Sequence, residues 1–154
     1  MKKLLSVVLI VIAFGIFESN AQSNYTTALG LGIDFGDGQT LVGPSVKHFF
    51  TTEHAGMAEV AFGDNVTFLT FLYEYHGQFP NAGGLTWFAG AGPSLAFFDN
   101  DTEFLLRPVV GLDFKINNVP LAFSFDWRPW IFFGDNGDTF EPARFGLGFR
   151  YAFN

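Results

Sequence analysis

The chain contains three histidines, His48, His54 and His76. Acyl transfer or ester hydrolysis would need one of them beside a nucleophilic serine and an acid. His76 is the best placed, two residues after Glu74, but no serine stands next to it in sequence. An interior histidine satisfied by hydrogen bonds accounts for the same spacing without catalysis. Two segments, DNDTE at 99–103 and GDNGD at 134–138, offer the hard oxygen ligands that Ca²⁺ prefers. Neither has the spacing of a calcium-binding loop, and Asp, Asn and Gly are also what tight turns require. No resident metal or other cofactor is expected. The Gly-x-Gly pieces Gly30-Leu31-Gly32, Gly90-Ala91-Gly92 and Gly146-Leu147-Gly148 have no helical pattern after them and so do not read as phosphate loops. The oddest stretch is LAFSFDWRPWIFF at 121–133, where Asp126 and Arg128 interrupt a run of aromatic residues.

The elements that must position these groups read as strands. Apolar segments of period two recur along the chain, punctuated by Gly, Asn, Asp and Pro, and no stretch after the first 21 residues reads as an amphipathic helix. Eight strands are expected, over Tyr25–Phe35, Leu41–Phe50, Ala55–Phe62, Val66–Phe79, Leu85–Phe98, Phe104–Ile116, Leu121–Phe133 and Ala143–Phe153. The short connections GDGQT, TTEH, GDN, PNAGG, DNDTE and NNVP, with the longer GDNGDTFEP, make the arrangement antiparallel and up-and-down.

Sorting each strand by parity separates two faces. Phe145, Leu147, Phe149, Tyr151 and Phe153 oppose Arg144, Gly146, Gly148, Arg150 and Ala152; Phe123, Phe125 and Trp127 oppose Ser124, Asp126 and Arg128. A water-soluble barrel would put the apolar face inside and a charged face outside. Here the second face is Gly, Ala and Ser with a few charges, which suits the narrow interior of an eight-stranded barrel better than a water-facing surface. A lipid-facing base would cost about 2–4 kcal/mol at the bilayer midplane. The fold class expected is therefore all-β, an eight-stranded antiparallel transmembrane β-barrel of the outer-membrane type, aromatic residues outward and charges in the lumen.

Composition and the N-terminus agree. The 154 residues suffice for one domain, and only 15% are charged against 22 Phe and 18 Gly, whereas soluble domains spend about a quarter on charge. Residues 1–21 read as a cleaved signal peptide: Lys2 and Lys3 precede an apolar run from Leu4 to Phe17, and Ser19-Asn20-Ala21 forms the cleavage site. The barrel domain is then 22–154. No cysteine follows the apolar run, which excludes a lipoprotein anchor, and none occurs anywhere in the chain. Removing Lys2, Lys3 and Glu18 leaves six bases and fourteen acids, a side-chain balance of −8 that disfavours nucleic acid.

With both termini in the periplasm, TTEH, PNAGG and NNVP are periplasmic turns and the remaining loops face outward. Those outer loops carry Asp37, Asp64, Asp99, Asp101, Glu103, Asp135, Asp138 and Glu141 and no base. Tyr25, Phe50, Phe79, Trp87, Tyr151 and Phe153 at one end, and Phe35, Phe62, Phe97 and Trp130 at the other, are expected as interfacial girdles.

The segments SVKHFF, LTFLYEYHGQF, GLTWFAGAGPSLAFF, VVGLDFKINNVPLAFSFDWRPW and FGLGFRYAF resemble a family of small outer-membrane β-barrel proteins of Bacteroidota, and more distantly the OmpX- and OmpA-type barrels. The resemblance covers nearly all of the chain after residue 21 and implies fold and location, with no activity assigned to the family. It departs at the end, where Asn154 follows the aromatic Phe153.

The lumen set is Asp34, Lys47, Glu59, Glu74, Arg107, Asp113, Lys115, Asp126, Arg128, Arg144 and Arg150. Near-balance of charge in a tight interior points to ion pairs closing the lumen, since an unpaired buried ion is costly; the alternative is a narrow ion path with a charged constriction. The function expected is structural or surface-interactive. The runner-up is a lipid A-modifying hydrolase or acyltransferase built on His76 with Ser45, Ser94 or Ser124. Expected partners are outer-membrane lipid and lipopolysaccharide, with the barrel-assembly machinery during insertion, and the chain is expected to be a monomer.

Overall fold

Alternation of apolar and small or polar residues over eight to fourteen positions has one stable solution, a sheet whose two faces meet different surroundings. The computed structural model describes residues 25–134 and 139–153. The predicted signal peptide, Asp135, Asp138 and Asn154 lie outside the described residues. The strands are β1 (Thr27–Gly36), β2 (Leu41–Phe49), β3 (His54–Gly63), β4 (Val66–Gln78), β5 (Leu85–Phe98), β6 (Thr102–Lys115), β7 (Leu121–Trp127), β8 (Trp130–Phe132), β9 (Thr139–Glu141) and β10 (Arg144–Phe153). No helix occurs among the described residues.

Each of β1 to β6 pairs antiparallel with the next strand, β7 pairs with β10, and β10 returns to β1 through a ladder from Thr27↔Phe153 to Gly36↔Arg144. The result is the closed eight-stranded antiparallel barrel expected from the sequence. Closure leaves no unpaired edge among these eight strands, so their backbone polar groups are satisfied within the sheet. The short turns match the expected ones. Asn65 and Asn118 sit in them at positive φ (59° and 60°), a conformation that asparagine tolerates better than most residues.

The seventh strand differs from expectation. It is not continuous over Leu121–Phe133 but breaks at Arg128-Pro129, where proline has no N–H to donate to the ladder. The Arg128 N–H still reaches Arg144 O at 3.0 Å. Beyond the break β8 stays beside β6 (Leu105↔Phe132, Leu106↔Ile131) and pairs with β9, forming a small hairpin at the end of the barrel away from the termini, here the loop end.

Two girdle residues also differ. Tyr25 is buried at the terminal end: a bend at Thr26, before the first ladder pair, turns it inward, so parity read back from β1 fails there. Trp130 is drawn into the loop end, stacked on Phe68 with centroids 5.0 Å apart and packed with Phe132 against Leu41, Ala61, Val66, Phe68, Ala96 and Leu105. It keeps the inward parity of Asp126 and Arg128 through the break. Apolar plugs thus sit at both ends, with Tyr25, Ala28, Phe49, Ala55, Ala122 and Ala152 at the terminal end.

Candidate functional site

All eleven ionisable residues of the expected lumen set are buried, Lys115 being the most accessible at 8%. Alternate residues of one strand face the interior, so each strand contributes its charges at spacings of two. Cross-strand neighbours then come within ion-pair reach.

At the loop end, Asp34 of β1 lies between two guanidinium groups. Arg144 of β10 donates to Asp34 Oδ1 from Nε at 3.0 Å and from Nη2 at 2.5 Å, and Arg107 of β6 donates from Nη2 to Oδ2. Arg144 also donates from Nη1 to the carbonyls of Asp37 and Gln39, at 2.7 and 3.0 Å. Its guanidinium lies 4.0 Å from the Trp130 ring centroid, within cation–π range. Arg128 grips Asp126 through Nε and Nη2 and reaches Glu59 Oε1 from Nη1 at 3.2 Å. This two-pronged Arg–carboxylate geometry is the strong one. Three acids and three bases balance at this end. Glu59 Oε2, Arg107 Nε and Trp130 Nε1 are buried without a hydrogen-bond partner among the described residues, so the protein does not by itself saturate the group.

Glycine makes the crowding possible. A Cβ on Gly146 would run into the Arg128 guanidinium, and one on Gly32 into the Glu59 carboxylate. Gly32, Gly146 and Gly148 thus leave room for interior side chains, whereas Gly30, Gly90 and Gly92 lie against the backbone of the neighbouring strand.

Toward the terminal end, Lys47 of β2 sits between Glu74 (2.7 Å) and Asp113 (3.0 Å), its ammonium 4.3 Å from the Phe88 ring centroid. Tyr25 donates its hydroxyl to Asp113 at 3.0 Å. His76 donates from Nε2 to Glu74 Oε2 at 2.9 Å, stacks on Phe88 and meets Phe49 edge-on. Among the described residues, Arg150 and Lys115 are not brought to a carboxylate. Arg150 donates instead to Ser45 Oγ (3.0 and 2.9 Å) and Ser124 Oγ (2.9 Å), and Lys115 donates to Ile116 O at 2.8 Å.

The nucleophile and base of an acyl-transfer site are not hydrogen-bonded to each other here. Ser94 bonds Thr70 Oγ1 at 2.7 Å and Leu69 O, Ser45 and Ser124 hold Arg150, and His76 holds Glu74. His48 lies on the outer face, bonded through Nδ1 to Thr27 Oγ1 at 2.8 Å. His54 opens β3, slightly inside the strand where a turn was expected.

Tyr25, Thr70, Phe88 and Trp130 belong to the interior but were not among the expected site residues. Parity would have found three of them: Thr70 shares the face of Glu74, Phe88 that of Ser94, and Trp130 that of Arg128. Only Tyr25 breaks the pattern.

Asp126→Ala is expected to destabilise the barrel by about 2–3 kcal/mol, less than loss of an entire buried partner because Arg128 keeps Glu59. Urea unfolding followed by tryptophan fluorescence measures it, and an unchanged midpoint would show that the pair contributes nothing. No protein-family model matches the sequence, and no curated protein matches it significantly.

Proposed function

We propose that this chain is an integral outer-membrane barrel, exported by residues 1–21, monomeric, and serving a structural or surface-interaction role with its lumen closed by ion pairs. One observation carries the reading: the barrel is inside-out relative to a soluble one. Leu31, Phe71, Leu112, Phe125 and Phe149, on five different strands, are 42–54% exposed, while Asp34, Arg107, Arg128 and Arg144 are at most 1% exposed. A soluble monomer rarely shows a continuous apolar surface of this kind, whereas lipid demands it. The likeness to small Bacteroidota barrels and to OmpX points the same way.

A structural rather than catalytic role is supported by the hydrogen bonding of the three interior serines, all of which engage partners other than His76. Closure is supported by the apolar plugs at both ends and by the three-acid, three-base group between the strands. The outer loops, acidic and without a base, are the surface offered to an external partner.

Two measurements test this. Protein inserted into vesicles should migrate faster unheated than boiled on a denaturing gel, because the closed barrel resists the detergent; recovery as a soluble periplasmic protein would overturn the location. Planar bilayers should show no steady single-channel steps, and steps abolished by Arg128→Ala would replace a closed lumen with a narrow pore.

A further inference from the structure

The two arms of the last hairpin break at the same height. On one arm β7 stops at Trp127 and β8 starts at Trp130; on the other β9 stops at Glu141 and β10 starts at Arg144. The ladder below the breaks ends at Phe145↔Trp127, and the ladder above them begins at Trp130↔Glu141. Each gap contains a proline, Pro129 on one arm and Pro142 on the other. Proline has no N–H to donate, so neither arm carries a regular ladder through its gap. Below the prolines both arms are anchored, since the Arg128 N–H reaches Arg144 O at 3.0 Å and Ala143 O accepts the Asp37 N–H at 2.9 Å.

The part above the gaps, β8 with β9, is lightly attached. Its ladder to β6 is limited to Leu105↔Phe132 and Leu106↔Ile131, extended by the Phe133 N–H to Phe104 O at 3.4 Å. Among the described residues β9 pairs with β8 alone. One further bond spans the gaps on the outer face, where the Trp127 indole donates to Pro142 O at 2.6 Å.

The hairpin carries a stopper. Trp130 and Phe132 pack into the loop end against the buried cluster that contains Phe68, Ala96 and Leu105. Next to the Trp130 ring lie the guanidinium groups of Arg144, 4.0 Å from its centroid, and of Arg107, 5.7 Å away. Trp130 Nε1–H and Arg107 Nε–H are both buried without a hydrogen-bond partner among the described residues. Unpaired buried donors carry a desolvation cost that water removes when the hairpin lifts. Aromatic packing holds the stopper in, and the donors it covers oppose it.

We infer that β8–β9 is a hinged lid over the loop end of the lumen, with Trp130 and Phe132 as its stopper. The swing falls at Pro129 and Pro142, element-terminal positions of the kind that absorb hinge motion, and the Trp127–Pro142 bond is the latch. Lifting parts β8 from β6 and gives the outside access to the chamber around Arg107 and Arg144. It opens no pore, because Arg128 stays on Asp126 and Glu59, and Lys47 stays between Glu74 and Asp113 nearer the terminal end. The lid deepens the closed-lumen reading above and rests on it.

The chain has no cysteine, so single introduced thiols report access. Ser94→Cys places one under the lid: Ser94 is buried, and its neighbour Leu105 is itself paired with Phe132. Ser124→Cys is the control, buried two residues nearer the terminal end than Asp126. Each protein is held in phospholipid nanodiscs, which leave both ends of the barrel in water, and treated with a charged methanethiosulfonate reagent. Labelling is followed by mass.

Ser94→Cys should react and Ser124→Cys should not. Trp127→Phe, which removes the latch, should speed Ser94→Cys labelling about fivefold, the factor that one hydrogen bond of ordinary strength provides. A Leu106→Cys, Ile131→Cys disulfide formed beforehand ties β8 to β6 and should slow Ser94→Cys to the rate of Ser124→Cys. Every variant must keep the heat-dependent gel shift; if Ser94→Cys loses it, Ala96→Cys reports from the cluster that Trp130 packs against. Absence of labelling under the lid, or labelling indifferent to either the latch variant or the disulfide, would overturn the lid and leave the closed lumen standing. Equal and rapid labelling of Ser94→Cys and Ser124→Cys would overturn the closed lumen, and the lid falls with it.

Discussion

Asp34→Ala should lower the unfolding free energy of the barrel by about 3–5 kcal/mol, the range seen when one partner of a buried ion pair is removed. Asp34 is fully buried and is the only carboxylate within ion-pair distance of both Arg107 and Arg144 among the described residues. Its loss strands two guanidinium groups together. Arg144 retains the carbonyls of Asp37 and Gln39 and the face of Trp130. Among the described residues Arg107 keeps the 3.4 Å contacts with Thr70 Oγ1 and Arg128 O and a more distant place over the Trp130 ring at 5.7 Å, so most of the cost falls on it. Asp34→Asn preserves shape and one acceptor and should lose less. The measurement is urea unfolding of vesicle-inserted protein, with the heat-dependent gel shift as an independent reading of barrel closure. Equal midpoints for wild type and Asp34→Ala would mean that both arginines find solvent, and the lumen is then not closed.

Lys47→Ala is expected to cost a similar amount, about 3–5 kcal/mol, for the opposite reason. Among the described residues Lys47 is the single Lys or Arg within ion-pair distance of Glu74 and Asp113. Without Lys47, Glu74 keeps His76 and Asp113 keeps the Tyr25 hydroxyl, but neither carboxylate keeps a cation between them. Its contact with Phe88 is lost as well. The distinguishing prediction is rescue. Adding Glu74→Gln to Lys47→Ala removes one of the stranded charges and should recover part of the loss, whereas two independent destabilising changes would add. The same unfolding measurement decides it, and a double variant weaker than Lys47→Ala alone would argue that packing, not charge, sets the cost.

Much of this was legible in the sequence, for a specific reason. In a barrel the outward face is selected by one solvent and the inward face by another, so the period of two carries nearly all the information. Phe123, Phe125 and Trp127 against Ser124, Asp126 and Arg128 is readable without coordinates, and the same parity places Asp34, Glu59 and Arg150 on the inner face. Strand ends were readable because Asn65 and Asn118 are residues suited to the left-handed conformations their turns require. Parity stops being informative where the ladder stops. Tyr25 lies beyond the first ladder pair and turns inward, and the seventh strand is cut at Pro129 although its composition stays aromatic to Phe133.

Within the described chain, the sequence by itself determined the number of barrel strands, their inward and outward faces and the set of charged residues held inside, because these depend on local period and turn chemistry alone. Only the tertiary structure decided who pairs with whom. Asp34 meets residues 73 and 110 positions away, and Lys47 meets Asp113 across the lumen. Those partnerships follow from the stagger of the closed sheet and from the space that Gly32 and Gly146 leave open, neither of which is a property of any one strand. Lys115 and Arg150 carry the same charge as Arg107 and face inward as it does, yet they end on a carbonyl and on two serines. Their height in the barrel, not their type, made that difference.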